Sequence, residues 1–142
     1  MTISRVIQNR SGEVWCCAPG DSVREAVAVL AERRIGALPV VEHGRVVGIF
    51  SERDVVKRLA ALGPALLDAS VAEIMTSPVE TVDPALDVIE ALGLMTERRF
   101  RHLPVVEGGQ MVAFVSIGDL VKYRIERIEA DAEAMRSYIQ SA

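Results

Sequence analysis

The feature of this sequence that most constrains its fold is an internal duplication. When the chain is aligned with itself at an offset of 65 residues, Pro19 falls on Pro84, and the match runs without a gap to Lys57 on Lys122. Only two copies are present, so we expect a tandem pair that buries a shared face, because solenoids need three or more repeats. The copies share the blocks 32–34 and 97–99, the blocks 38–42 and 103–107, and the Ser-x-x-Asp motifs Ser51/Asp54 and Ser116/Asp119.

The residue pattern within each copy predicts the order strand, helix, strand, strand, helix. The first copy begins with a short strand at 14–17, and its later apolar runs, 37–41 and 46–50, flank Gly44. A glycine there supplies the positive φ of a hairpin turn, and a second helix follows Ser51. The second copy repeats the pattern with strands at 79–82, 103–106 and 111–115, a turn at Gly108-Gly109 and a helix after Ser116. The first helix of each copy is marked by Val23, Ala26, Val27 and Leu30, and by Val88, Ala91, Leu92 and Met95.

Segments outside the duplication add helices at both ends. Apolar residues near the N-terminus predict a short helix there, and Gly63-Pro64 breaks the chain between the copies. The predicted units are therefore 1–65, the N-terminal helix with the first repeat; 66–125, the second repeat; and 126–142, a C-terminal helical extension.

A seam of apolar residues runs along the predicted C-terminal helix at alternating spacings of four and three. Such a helix, of roughly twenty residues, either covers the body of its own subunit or pairs with a second subunit. Three heptads do not decide between these alternatives. The seam consists of Val121, Ile125, Ile128, Ala132, Met135 and Ile139.

Composition argues against several classes of function. The chain has 142 residues, half of them hydrophobic, which suffices for one folded unit. A net charge of -4 argues against a general nucleic-acid binder, and one Trp, two Tyr and three Phe are too few for a base-stacking surface. No apolar run approaches the roughly 18 residues of a membrane span, and residues 1–10 lack a signal-peptide core. We therefore expect a soluble, cytoplasmic protein without a membrane or nucleic-acid partner.

No arrangement of residues in the sequence suggests an enzyme. The adjacent Cys16 and Cys17 would point to opposite faces of a strand, so they cannot form an ordinary disulfide with each other. We interpret them as strand-filling residues, since neither histidine offers the spacing of a metal site. The sequence lacks a nucleophile–base pair and a Walker or dinucleotide glycine motif, and His43 is interpreted as a turn residue. We expect no catalytic residue and no metal.

The duplicated blocks resemble the cystathionine-beta-synthase (CBS) domain family, as a stand-alone tandem pair or Bateman module. The resemblance covers about residues 5–125 and rests on IGALPVVEHGRVVGIFSERD and RHLPVVEGGQMVAFVSIGD, in register in both copies. It implies a mixed α/β (α+β) fold in which two pseudo-twofold-related repeats pack sheet to sheet and leave two clefts. It also implies a signal-transduction sensor, commonly a homodimer, that binds AMP, ATP, NAD(H) or S-adenosylmethionine and reports to an effector protein.

The two Ser-x-x-Asp motifs have two interpretations that are compatible with each other. A serine that opens a helix with Asp three residues later is close to a capping box, which makes Ser51/Asp54 and Ser116/Asp119 helix caps. A helix N-terminus also presents free N–H groups and a positive dipole end that suit phosphate. The resemblance implies that Asp54 and Asp119 bind the ribose hydroxyls, with Ser51 and Ser116 near the ribose or phosphate.

The resemblance also assigns the walls of the clefts. The segments entering each copy, 12–14 and 75–79, are expected to contact adenine through backbone groups. The expected wall residues are Ile35, Gly36, Ala37 and Pro39 in the first copy, Met75, Thr76 and Val79 at the start of the second copy, and Phe100, Arg101, His102 and Pro104 beyond its first helix.

Basic residues cluster just before the second Leu-Pro-Val block. One interpretation makes Arg33, Arg34 and Arg98 solvated helix ends that complement the C-terminal dipole. Arginine also makes bidentate contacts to phosphate. The resemblance implies this role for Arg101 and His102, and we extend it to Arg53 and Arg99.

The two copies are not equivalent. Gly48 of the first signature becomes Ala113 in the second, and Glu52-Arg53 becomes Ile117-Gly118. The second signature therefore lacks its own arginine, which leaves open whether both clefts bind the same ligand. The favoured function is a nucleotide sensor. The alternative is a ligand-independent dimerisation or protein-interaction module, for which the C-terminal seam would supply the surface.

Overall fold

Each copy of the repeat folds into a helix, an antiparallel hairpin and a second helix. The computed structural model describes residues 1–8 and 14–141. The first copy comprises α2 (Val23–Arg33), β1 (Ala37–Glu42), β2 (Arg45–Ser51) and α3 (Glu52–Leu62), and the second comprises α5 (Val88–Arg98), β3 (His102–Glu107), β4 (Gln110–Ser116) and α6 (Ile117–Ser141). The remaining helices are α1 (Ile3–Ile7) and, between the copies, a 3₁₀ turn (Gly63–Asp68) and α4 (Val71–Ile74).

The two predicted hairpins are confirmed and are nearly identical. His43 and Gly44 both have positive φ, 53° and 78°, as do Gly108 and Gly109 at 60° and 80°. Two consecutive positive φ angles match the turn type that suits the twist of a two-residue hairpin. Each hairpin also has a register shift at the same place, after Val40 in one and at the equivalent position in the other.

The predicted strands at 14–17 and 79–82 are reduced to single bridges. Cys17 pairs in parallel with Val40, where its N–H donates to the Pro39 carbonyl at 3.1 Å. Val82 makes the same bond to the Pro104 carbonyl at 3.0 Å. The next bond of each parallel ladder would need an N–H from Pro39 or Pro104, which proline lacks. The prolines at equivalent positions of the two copies therefore explain why neither strand extends toward the N-terminus.

The side chains form two hydrophobic clusters, one in each copy. Leu38 and Phe50 are fully buried in the first cluster, and Leu103 and Val115 in the second. The sheets of the two copies face each other, with β2 against β4, in the expected pseudo-twofold arrangement. The predicted N-terminal helix is also present, but it packs on the second copy, where Ile3 is fully buried.

The connection between the copies returns to the first copy before it enters the second. Leu66, Val71 and Ile74 are buried in the first cluster, and Thr76 then exchanges two backbone hydrogen bonds with Ile49, of 3.0 and 2.9 Å. Gly48 allows this approach, because a Cβ there would contact the Met75 side chain and lie 3.2 Å from the Thr76 carbonyl. The connection is thereby fixed along the edge of β2.

Helix α6 starts in the second copy and continues beyond it. Leu120 is fully buried and Tyr123 packs on the second cluster, but Ile125, Ile128 and Met135 are about half exposed or more. The interpretation that the seam covers its own subunit is therefore wrong from Ile125 onward, because within residues 1–8 and 14–141 those side chains stay largely exposed. Within residues 1–8 and 14–141, no helix combines the length and apolar character of a membrane span.

Candidate functional site

A cleft of about 460 Å³ lies between the two copies and brings together three separate segments. The first copy contributes the Ser51 signature and the start of α3, the connection contributes 76–80, and the second copy contributes the end of α5. The predicted residues that line the cleft are Gly36, Ser51, Arg53, Asp54, Thr76, Val79, Arg99, Phe100, Arg101 and His102.

Asp54 is held at the floor of this cleft by a complete capping box. Its Oδ2 accepts hydrogen bonds from the N–H and the hydroxyl of Ser51, both at 3.0 Å, and its own N–H donates to Ser51 Oγ at 3.3 Å. Its Oδ1 accepts a 2.9 Å bond from the Thr76 hydroxyl. The capping interpretation is therefore correct for Asp54. The carboxylate is also oriented toward the cleft, where the exposed Thr76 hydroxyl occupies one acceptor position.

The basic wall of the cleft comes from the end of α5. Arg99 leaves the helix in the left-handed conformation, with φ of 59°, and so turns the chain back toward the hairpin. Arg98, interpreted above as a solvated helix end, lies on the cleft wall, where its Nη1 is 3.1 Å from Glu80 Oε2. Arg53 and Lys57 face this wall from α3.

His102, the first residue of β3, also lines the cleft. Its ring stacks on Phe114 with centroids 5.4 Å apart and planes inclined by 12°. Burial lowers the pKa of His102 below its ordinary value, and Arg101 lowers it further, whereas Asp119 and Glu52 act in the opposite direction. The imidazole is therefore neutral at pH 7.

Five predicted site residues in the two cores do not line this cleft. Ala37, Pro39 and Pro104 are buried, and both proline carbonyls are used by the bridges described above. Ile35 and Met75 pack against the first hydrophobic cluster.

The second signature also forms a helix cap. Asp119 Oδ2 accepts a 2.8 Å bond from the Ser116 N–H, and the Asp119 N–H donates to Ser116 Oγ at 3.0 Å. Neither residue lines the cleft that contains Asp54. Of the segment 12–14, which was expected to contact adenine through backbone groups, Gly12 and Glu13 lie outside the described residues.

Six residues of the cleft were not predicted. Lys57 follows Asp54 by three positions, so helical spacing alone could have placed both on one face of α3. Glu80 and Pro78 lie in the connection, whose path depends on its packing along β2 and leaves no periodic signal in the sequence. The unpredicted lining residues are Ile49, Glu52, Lys57, Pro78, Glu80 and Arg98.

Metal ligation has no obvious place in this site. Across the part of the chain that the structure describes, no group of three or more His, Cys, Asp or Glu side chains is arranged to hold a metal ion. Cys17 is buried, and burial raises the pKa of its thiol to about 12, with Asp21 and Cys16 adding to the shift. That thiol is protonated and unsuited to ligation.

Comparison with known proteins gives consistent matches. A family model for the CBS domain matches residues 6–61 and again 71–126. The mitochondrial CBS domain-containing protein CBSX3 of Arabidopsis thaliana is 33% identical over 148 residues, which cover 98% of this chain and 72% of that protein.

Solved structures agree with these matches. The crystal structure of a CBS-domain containing protein from Agrobacterium tumefaciens has a TM-score of 0.82 and 37% identity, covering 87% of this chain and 99% of that one. The crystal structure of CBSX2 in complex with AMP has a TM-score of 0.73 and 25% identity, covering 88% and 96%.

Proposed function

This chain belongs to the CBS-domain family as a tandem pair, and from that premise we propose that it is a regulatory, non-catalytic module that binds an adenosine-containing nucleotide in the cleft beside Asp54. Candidate ligands are AMP, ATP and NAD(H). Occupancy shifts the conformation or assembly of the module, and an effector protein reads that shift. Such a shift is limited to the ligand's differential affinity for the two states.

The observation that carries this proposal is the meeting of an oriented carboxylate and a basic wall in one cleft. Asp54 Oδ1 already accepts a hydrogen bond from the Thr76 hydroxyl, and a ribose hydroxyl has the same donor chemistry. Arg99 and Arg101 approach from the other copy, where guanidinium groups suit phosphate. The volume of about 460 Å³ falls within the roughly 300–1,000 Å³ typical of small-molecule sites.

The charge of the cleft favours a monophosphate. Five cationic side chains and three carboxylates line it, a net charge of +2 with His102 neutral. A phosphomonoester carries about −1.5 to −2 at neutral pH, which this lining balances. A triphosphate would bring more negative charge past Glu52 and Glu80, so we propose AMP as the preferred ligand. The related CBSX2 structure with bound AMP supports the same choice.

The experiment is calorimetric titration of protein stripped of co-purified nucleotide with AMP, ATP, NAD, NADH and S-adenosylmethionine. We expect saturable binding, tightest for AMP, and roughly tenfold or more weaker binding for Asp54→Ala, because a charge-assisted hydrogen bond is lost. Asp87→Ala is the matched control, since Asp87 caps α5 outside the cleft. Absence of binding by folded, emptied wild-type protein would contradict the proposal.

A second candidate function, the ligand-independent interaction module, is favoured by the exposed seam of α6. Retention of full partner affinity by Asp54→Ala would support it. We also propose that the module acts as a homodimer. The cytoplasmic location stays a prediction from the sequence, and the relative CBSX3 is mitochondrial by name.

A further inference from the structure

We propose that the outer part of α6 pairs in parallel with the same helix of a second copy of this chain. The inference deepens the homodimer proposed above by naming its surface and direction. Only the number of copies, two, is taken from that proposal. The inference does not depend on nucleotide binding.

The first observation is a continuous apolar seam that nothing in the described chain covers. Exposure along it rises from 49% at Ile125 to 53% at Ile128, 60% at Met135 and 65% at Ile139. Contiguous exposed apolar residues at one helical period are typical of an interaction surface. Since α6 continues beyond its own core in a single helix, the seam is presented as a rod to another molecule.

The spacing of the seam fits a coiled coil. Ile125 and Ile139 occupy a positions, where β-branched residues are typical of parallel coiled coils. No d position carries the Leu that favours two strands, so the two-copy stoichiometry is taken from the homodimer proposed above. Ala132, the central a residue, lets the helices approach closely. The a positions are Ile125, Ala132 and Ile139, and the d positions are Val121, Ile128 and Met135.

Charges beside the seam select the parallel direction. In parallel register, each g residue faces the e residue five positions later on the partner helix. Arg124 then faces Glu129 of the second copy, and Asp131 faces Arg136 of the second copy. Both contacts join opposite charges, and twofold symmetry repeats each of them.

The antiparallel alternative brings like charges together. The antiparallel register that aligns every apolar layer places g against g and e against e. Asp131 would then face Asp131 of the second copy, Glu129 would face Glu129, and Lys122 would face Arg136. The repulsion within these like-charge pairs disfavours the antiparallel arrangement.

Ion pairs within the helix do not prevent this association. Asp131 lies 3.9 Å from Arg127, and Arg136 Nη1 lies 3.1 Å from Glu133 Oε2. All four side chains are more than half exposed, and exposed pairs of this kind contribute little. Replacing these ion pairs within the helix by ion pairs to the second copy therefore costs little free energy.

The first test compares two alanines of α6. Ala132 lies on the seam and Ala130 on the opposite face, so Ala132→Asp and Ala130→Asp introduce the same charge into the same helix. We expect sedimentation equilibrium of the full chain to show a wild-type dimer, at least roughly tenfold weaker association in Ala132→Asp, and little change in Ala130→Asp. Circular dichroism verifies that both variants keep their helix content.

The second test is a charge-reversal rescue. Glu129→Arg should weaken the dimer about two- to tenfold, and Arg124→Glu in the same chain should restore it, because these positions meet only between parallel helices. Absence of rescue would overturn the parallel direction. A dimer that Ala132→Asp leaves intact would overturn this inference alone, whereas a monomeric wild type would overturn the homodimer as well. A trimer would overturn the two-copy stoichiometry. AMP titration of the same variants, expected unchanged, reports separately on the proposed function.

Discussion

The two Ser-x-x-Asp signatures form the same local structure but are followed by different segments of the chain. Both aspartates cap a helix through the serine three residues earlier. After Asp54, the chain ends α3 at Leu62 and returns along β2, which brings Thr76 to the carboxylate. After Asp119, the chain continues through α6 to Ser141. The motif therefore starts a helix in both copies, and in the first copy the connection adds a hydrogen bond to its aspartate.

Gly48 and Ala113 occupy equivalent positions of the repeat and have different side-chain requirements. The returning connection passes so close to Gly48 that a methyl group would contact Met75. At Ala113 the methyl group is accommodated and is only 5% exposed. Gly48 therefore leaves room for the connection in the first copy, whereas Ala113 fills a buried position in the second copy.

The largest expected effects test whether the two cores form one cooperative unit. Leu38 and Leu103 are equivalent in the repeat and fully buried, so Leu38→Ala and Leu103→Ala should each lower the free energy of unfolding by about 2–5 kcal/mol. Chemical denaturation with both fluorescence and circular dichroism measures this. Two separated transitions in either variant would show instead that the copies unfold independently.

Exchanging the residues at the signature glycine should give unequal losses. Gly48→Ala should lower the free energy of unfolding by about 1–3 kcal/mol, because the added methyl overlaps Met75. Ala113→Gly should cost roughly 1 kcal/mol, since it mainly increases backbone freedom. Thermal unfolding in parallel compares them, and equal losses would contradict the proposed role of the returning connection.

Removing the serine hydroxyls should separate capping from binding. Ser51→Ala and Ser116→Ala should each lower the free energy of unfolding by about 0.5–2 kcal/mol, the usual contribution of an N-cap. Only Ser51→Ala should also weaken AMP binding in calorimetry, because Ser51 orients Asp54 in the cleft. Equal losses of AMP affinity in both variants would contradict the assignment of the ligand to the first signature.

The smallest expected effect is a pH dependence at His102. Its pKa in the folded chain lies below the ordinary value, so the unfolded chain binds the proton first as pH falls. The stability due to neutral His102 is complete above about pH 6.5 and decreases as pH falls below that value. His102→Gln should flatten the unfolding free energy between pH 7 and pH 5.5. His43→Asn, at an exposed turn, is the control that should retain the slope.

The sequence was informative where structure depends on near neighbours. Both hairpin turns and the Ser51 capping box follow from a few adjacent residues, and the duplication fixed the order of elements. It was less informative where structure depends on distant packing. The missing N–H of Pro39 limits a strand that lies more than twenty residues earlier, and the positions of Thr76 and Glu80 depend on how the connection packs along β2.

Helix α6 is one continuous helix that runs from the second signature to Ser141. Asp119 lies in its first turn, and the remaining residues extend to Ser141 without a break, so the helix is about 37 Å long at 1.5 Å per residue. A rigid element of that length acts as a lever. A tilt of about 5° at its base would displace its far end by roughly 3 Å, so the helix would amplify a small rearrangement at the second signature.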